Sequence, residues 1–307
     1  MTIGITHPTL TLKANRNMYT EIKQIDCTQD EYFALDGISN SDVNLFQRSP
    51  HLYKAKLEGM YSTPVSDPMR MGSAFDCLLL EPHLWADQYV VTPLGMETPT
   101  TSKQVGLVKS MRSGLDMQEC FQLAGYARPD PKTFHKLKPY TEFLAEVGSR
   151  ATISADEYAS LKNMLDSVRD NPVASQAVSE TTKQVIYTAI HEETGLAVKG
   201  MLDMVGEDYV CDLKTTGEEV SRFPRKIWNY NYDRQIAHYA SLASVDVCRF
   251  IAVERGHLNE CDVFELHIDR VESGREKMNQ ALVDIKASSV DNYTHRAHFY
   301  TTKWKLI

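Results

Sequence analysis

Apolar and polar positions follow two different rhythms along this chain. Around residues 154–170 the apolar side chains Tyr158, Leu161, Leu165 and Val168 recur at spacings of three and four, which lays them on one face of a helix. Ser154 and Glu157 make the S-x-x-E pattern of a capping box, and Pro172 follows the end. Beyond it the rhythm shortens. Residues 184–190, 196–205 and 209–214 read as strands, and Glu193-Thr194-Gly195 and Gly206-Glu207-Asp208 supply turns between them, which predicts an antiparallel meander. A long helix around 228–243, strands at 248–253 and 263–268, and a helix over 271–285 complete that half.

The first thirty residues are mixed and polar and predict no element. Ser39 or Ser41 can cap a short helix whose apolar side is Val43, Leu45 and Phe46, ended by Ser49-Pro50. A second helix starts within 51–60. After a Pro-punctuated loop at 63–68, the apolar run 71–80 reads as a buried helix ended at Glu81-Pro82, with Asp76 its single charged residue. From residue 93 onward, scattered Gly, Ser, Thr and Pro leave only a weak helical pattern. The expected organisation is a single domain over 1–307, with an extension at 1–36, an irregular excursion at 93–150 and a core of strands and helices over 151–290.

The 307 residues, 42% of them hydrophobic, suffice for one substantial core. The formal charge of -8 argues against a polyanionic partner, because general affinity for nucleic acid comes from Lys and Arg. Carboxylates gathered around a divalent cation weaken that objection, since the bound ion inverts the local field. The cysteines stand at 27, 77, 120, 211, 248 and 261, and no two have the spacing of a zinc or iron-sulfur clip. Neither a leader pattern in MTIGITHPTL nor an apolar run of membrane-spanning length is present, so free thiols in a reducing cytoplasm and no membrane partner are expected.

The segment with chemical content is Gly200-Met201-Leu202-Asp203 followed by Val210-Cys211-Asp212-Leu213-Lys214-Thr215-Thr216. A tight turn between two strands brings Asp203 near Asp212, and Asp212 and Lys214, two apart on one strand, project from the same face. Two carboxylates with an ammonium suit phosphodiester hydrolysis, in which hard oxygen ligands hold Mg²⁺ or Mn²⁺ and a cation offsets charge on the transition state. The backbone carbonyl of Leu213 is a further candidate ligand. A lone D-x-K triplet is more often a surface ion pair, but Asp212 follows apolar residues, where an unpaired carboxylate would be costly. Arg222, Arg225, Lys226 and Arg234, interleaved with Phe223, Trp228, Tyr230 and Tyr232, suit a phosphate track with stacking platforms or, equally, a solvated helix flank.

From about Gly37 to Ile268 the chain resembles the PD-(D/E)XK nucleases, and within them the exonuclease VIII (RecE-type) phage recombination exonucleases. Gly37-Ile38-Ser39-Asn40-Ser41 and Arg48-Ser49-Pro50 look like the family's N-terminal signature. Gly72-Ser73-Ala74-Phe75-Asp76-Cys77-Leu78-Leu79-Leu80-Glu81-Pro82 looks like its G-[ST]-A-F-H-x-L-L-L-E-P helix. Lys199-Gly200-Met201-Leu202-Asp203 and Asp212-Leu213-Lys214-Thr215-Thr216 resemble its catalytic strands, and Gln235 with Tyr239 its Q-x-x-x-Y helix. Two departures stand out: Asp76 replaces the family's His, and Gln184 stands where an acidic residue is common.

The resemblance implies an α/β fold with a mixed sheet flanked by helices in the restriction-endonuclease-like arrangement. It implies catalytic roles for Asp203, Asp212, Lys214, Gln235 and Tyr239, metal contacts from Asp76, Asp203 and Asp212 beside the Leu213 carbonyl already named, and DNA contacts from Ser39, Arg48, Thr215 and Thr216 beside the basic residues Arg222, Arg225, Lys226 and Arg234 read above. It further implies two Mg²⁺ ions replaceable by Mn²⁺, degradation of linear duplex DNA from 5′ ends, a trimeric or tetrameric ring and a single-strand annealing partner. A PD-(D/E)XK endonuclease or a nuclease of RecB or CRISPR-adaptation type, and an end-binding subunit without catalysis, are the competing readings.

Overall fold

The structure is a computed structural model that describes residues 17–256 and 258–290. In chain order the elements are β1 (Tyr19–Ile25), α1 (Gln29–Ala34), α2 (Asn40–Arg48), α3 (Pro50–Leu57), α4 (Asp67–Leu80), α5 (Trp85–Gln88), β2 (Tyr89–Val91), α6 (Ser102–Arg112), α7 (Met117–Leu123), α8 (Pro131–Val147), β3 (Ala151–Ile153) and α9 (Ala155–Asp170). There follow α10 (Pro172–Glu180), β4 (Thr182–His191), β5 (Ala197–Val205), β6 (Tyr209–Thr216), α11 (Phe223–Asn229), α12 (Tyr232–Ala243), β7 (Val247–Glu254), β8 (Cys261–Glu265) and α13 (Ile268–Val290). The chain forms two compact units: residues up to Val65, Asp170–Glu254 and from Glu260 make the first, and Ser66–Arg169 with Arg255–Asn259 make the second.

The first unit is built on a six-stranded sheet in the order β1-β4-β5-β6-β7-β8, antiparallel except for the parallel pair β6–β7. The meander expected from the two turn sequences is β4–β5–β6, and a mixed sheet flanked by helices is the expected fold class. The parallel pair needs a crossover, which α11 and α12 supply. Helices α2, α12 and α13 cover the sheet, and Val43, Phe46, Ile236, Ala240, Phe250 and Met278 lie in the resulting core. Helices α12 and α13 approach so closely that a Cβ on Gly274 would stand 2.4 Å from the Asp233 carbonyl oxygen, which is why α13 carries glycine there.

The second unit corrects one expectation. Residues 93–150, read as irregular, contain α6, α7 and α8, which bury Leu107, Val108, Cys120, Phe121 and Leu137 in a core of their own. Their local signals are present but scattered: Thr101, Asp116 and Asp130 cap the three helices, and Pro139 lies inside α8. A second correction concerns the N-terminal stretch, where Tyr19–Ile25 joins the large sheet as its edge strand. No helix among the described residues is long and apolar enough to cross a membrane.

Candidate active site

Strand β6 treats its two neighbours differently. On one edge it pairs with β7 from Tyr209↔Val247 through Thr216↔Glu254. On the other, pairing with β5 is confined to Val205↔Val210 and Met204↔Cys211. The next step of that register sets Asp203 opposite Asp212, where the strands part. Asp203 Oδ2 there accepts the Leu213 N–H at 2.9 Å, so a side chain takes the amide that the ladder leaves over.

Asp212 is buried, and Lys214, two residues on, brings its Nζ to 2.5 Å from Asp212 Oδ2. That oxygen accepts no well-aligned hydrogen bond among the described residues. Burial opposes the charged form of Lys214, but the carboxylates of Asp212 and Asp203 outweigh it and hold the ammonium above the ordinary lysine value. Its Nζ also stands 5.0 Å from the Tyr232 ring centroid. On β4, Gln184 lies between the pairs Lys183↔Met204 and Val185↔Leu202, level with Asp203. Its backbone is left-handed, with φ of 50°, and its Oε1 is buried with no hydrogen-bond partner among the described residues.

Helix α12 closes over this strand pair. Gln235 Nε2 donates to Tyr239 Oη at 3.0 Å, which confirms that the two residues share a helix face. A Cβ on Gly200 would meet Leu242 Cδ1 at 2.7 Å and Tyr239 Cε1 at 3.3 Å, so the glycine lets β5 approach α12. Burial first, then the nearby charges of Asp212, Tyr32 and Asp203, push the Tyr239 phenol well above its usual range, so it remains protonated beside the carboxylates.

Supporting residues that the sequence reading missed hold β5 in place. His238 Nδ1 lies 2.6 Å from Tyr19 Oη and Nε2 lies 3.1 Å from the Lys199 carbonyl oxygen. Because a carbonyl can only accept, Nε2 carries the proton and Nδ1 accepts from tyrosine. Lys199 is buried, and its Nζ donates to the carbonyls of Tyr32, Phe33 and Leu35 at 3.0, 3.3 and 2.5 Å, capping the end of α1. The motif Lys199-Gly200-Met201-Leu202-Asp203 contained this lysine, but nothing local marks it as a helix cap.

Among the residues assigned to DNA contact, Arg234 requires correction. It is 1% exposed, and its guanidinium donates to Asn40 Oδ1 at 3.0 Å, Gln47 Oε1 at 2.5 Å and Asn44 Oδ1 at 2.5 Å, all on α2. It joins two helices and presents nothing to a phosphate. Ser39 likewise is buried as the N-cap of α2, in a capping box with Asp42. Thr216 is buried and its Oγ1 accepts from Lys226 Nζ at 2.7 Å, while Thr215 is half-buried on the same strand. Lys226 also lies 3.6 Å from Glu218, and Arg222 lies 3.5 Å from Glu219. Arg225 is exposed on α11, and Arg48 is exposed with its guanidinium on Tyr61 Oη at 3.0 Å.

Asp76 stands on α4 in the second unit, where its charge raises the Cys77 thiol and the Tyr89 phenol after burial has done most of that work. Among the described residues no three His, Cys, Asp or Glu side chains form a group able to hold a metal ion. Asp203 and Asp212 nevertheless fit a divalent cation: both offer hard oxygens, and the buried Asp212 Oδ2 lacks an aligned donor.

The family model described as "PDDEXK-like domain of unknown function (DUF3799)" matches residues 39–293. A crystal structure described as a "Putative exonuclease" from Eubacterium rectale is similar in fold, with a TM-score of 0.53 and 12% identity over 87% of this chain and 88% of that one. No curated protein matches the sequence.

Proposed function

The chain belongs to the PDDEXK-like family, and from that premise we propose that it is a metal-dependent exodeoxyribonuclease that degrades linear duplex DNA from 5′ ends and leaves 3′ single strands. The observation that carries this reading is the convergence of Asp203, Asp212 and Lys214 where β5 leaves β6.

Asp203 and Asp212 are the proposed ligands of Mg²⁺, with Mn²⁺ able to substitute, and the Leu213 carbonyl is a proposed further ligand. A divalent cation bound there supplies Lewis acidity toward a phosphate oxygen. The residues do the rest. Lys214, held as ammonium, offsets the negative charge that builds on the phosphate oxygens as the phosphorus–oxygen bond breaks. Tyr239, kept protonated near Asp212 and Asp203, accepts from Gln235 Nε2 at 3.0 Å and is proposed to serve the cluster as a neutral hydrogen-bond donor. Arg222, Arg225 and Lys226 on and before α11 are proposed to follow the DNA backbone, with Arg48 and Thr215 as outer contacts.

The neighbour described as an exonuclease supports an end-directed enzyme over an endonuclease. The resemblance set out above supports the 5′ polarity, a ring of three or four copies and an annealing partner; a cytoplasmic setting fits the free thiols, and a single nuclease domain carrying the second unit as an insertion is proposed with them. A DNA-end-binding protein without cleavage is the competing reading, favoured by Asp76 and Gln184 where relatives carry His and an acidic residue.

Linear duplexes labelled at the 5′ or the 3′ end and a closed circle, incubated with Mg²⁺, Mn²⁺ or chelator, separate these readings. Metal-dependent loss of the 5′ label from linear DNA alone is expected. Nicking of the circle points to an endonuclease, and binding of ends without degradation points to the end-binding protein.

A further inference from the structure

Three aromatic rings form a continuous stack that runs from the core to the surface beside the catalytic lysine. Phe223, the first residue of α11, is 1% exposed and fixed by an edge-on contact with Phe250 at 5.7 Å. Tyr232, the first residue of α12, stacks on it with centroids 6.1 Å apart at 24°. Tyr230 stacks on Tyr232 at 5.7 Å and 30°, and is 57% exposed. Lys214 Nζ stands 5.0 Å from the middle ring, so the exposed ring is one step removed from the catalytic ammonium.

The backbone makes this stack on purpose-built geometry. Residues two apart on a continuous helix point to nearly opposite sides. Asn231 interrupts the helix with φ of 55°, in the left-handed region that asparagine tolerates better than most residues, and the break lets residues 230 and 232 face one another. An exposed tyrosine at the end of a rigid stack offers one aromatic face to solvent. Arg225, exposed on α11, lies five residues before Tyr230, while Arg222 is paired with Glu219 at 3.5 Å.

We propose that Tyr230 and Tyr232 form a nucleobase platform that receives an unpaired terminal base of the strand whose phosphate lies at Asp203, Asp212 and Lys214. This rests on the nuclease reading given above and narrows its substrate. A base inside a duplex has both faces covered by its neighbours; only a frayed or single-stranded end can lend a face to Tyr230. The platform therefore selects ends that have opened, and the partner strand is left aside uncut.

The test uses the full chain and a blunt duplex with 2-aminopurine as the terminal base, in Ca²⁺ to follow binding and in Mg²⁺ to follow cleavage. Wild type should quench the probe on binding, because stacking on tyrosine quenches its emission. Tyr230→Ala should lose the quench and lower kcat/KM by about tenfold, the scale of one base–aromatic stack. Tyr230→Trp should restore both. The exposed position makes unfolding of these variants detectable as a shift in the urea midpoint, which is expected to stay at the wild-type value. A Tyr230→Ala protein that quenches and cleaves like wild type overturns the platform and leaves the nuclease reading intact. If wild type cleaves nothing, the Ca²⁺ arm still decides: terminal quench lost in Tyr230→Ala supports the platform, and no quench by wild type overturns it.

Discussion

Lys214 on β6 and Arg234 on α12 are both withdrawn from solvent in the same unit, but their partners differ. Lys214 lies against the Asp212 carboxylate with Asp203 close by, and its ammonium is held above the ordinary lysine value. Arg234 is surrounded by three neutral side-chain amides of α2, and burial pushes it down to about 10, against a partial opposing pull from Asp233. A cation set among carboxylates, here the proposed metal ligands, can answer a change of charge in a substrate. One enclosed by the side-chain oxygens of Asn40, Asn44 and Gln47 has no coupling of that kind and serves as a joint. Basic residues close to a catalytic centre in sequence thus divide into chemistry and architecture by their partners, not by their charge.

The most severe way to break this comparison is to remove the carboxylates. Asp203→Asn and Asp212→Asn should each reduce cleavage below detection with an unchanged circular dichroism spectrum, since a metal ligand is lost and the shape is kept. A variant that degrades linear DNA at a rate near wild type removes the site assignment altogether. Next comes Lys214→Met, expected to slow cleavage by about 10²–10³-fold, the effect of deleting one preorganised electrostatic donor. Calorimetric Mn²⁺ affinity should not fall; an unchanged rate would reduce Lys214 to an ion-pair partner like any other.

Arg234→Met should act on stability instead. Stranding the α2 amides that it joins is expected to cost about 3 kcal/mol in urea unfolding, with cleavage per folded molecule preserved. Weaker DNA binding at an unchanged urea midpoint would return Arg234 to the phosphate track.

His238 sharpens the same division by pH. Burial is the main cause that holds its imidazole down at about 4, with the Lys199 carbonyl opposing and Arg234 assisting. The unfolded chain therefore takes up a proton first, near the ordinary histidine value of ~6.5. Stability from the neutral ring is complete above that value and falls as the pH drops toward about 4, by about 3 kcal/mol. Urea midpoints measured at several pH values should show that slope in wild type and a flatter one in His238→Phe. The smallest effect belongs to Arg225→Ala, which should leave folding and rate alone and lower the salt dependence of DNA binding by about one phosphate contact.

What could be read in advance followed from how local each signal was. The β4–β5–β6 meander came from its own turns, and α9 from its capping pair, in which Ser154 N donates to Glu157 at 2.8 Å and Glu157 N to Ser154 Oγ at 3.1 Å. Asp212 and Lys214 were legible because strand alternation alone puts them on one face. The break between α11 and α12 was not, since asparagine at 231 is compatible with a helix and only the backbone angle reveals the turn. Strand β1 escaped notice because an edge strand is solvated along most of its length, and Glu21, Lys23 and Gln24 give it no apolar rhythm. The burial of Arg234 depends on α2, nearly two hundred residues away, so no window of sequence around it could have placed it.

The main stretch of the second unit, Ser66–Arg169, falls in the sequence between α3 and α10 of the first. As an unfolded loop of about a hundred residues it would impose a closure entropy of roughly 4 kcal/mol on the pairing of β1 with β4. Once α6, α7 and α8 have collapsed on Phe121 and Leu137, the same stretch behaves as a short link and most of that entropy has already been lost elsewhere. The expected order of folding follows: the insertion consolidates first, the long-range edge pairing Tyr19↔His191 forms late, and the parallel β6–β7 pair that carries Asp212 waits for its helical crossover, an order that pulse-labelled hydrogen exchange during refolding checks. A newly made chain therefore acquires its local helices well before it acquires the means to cut.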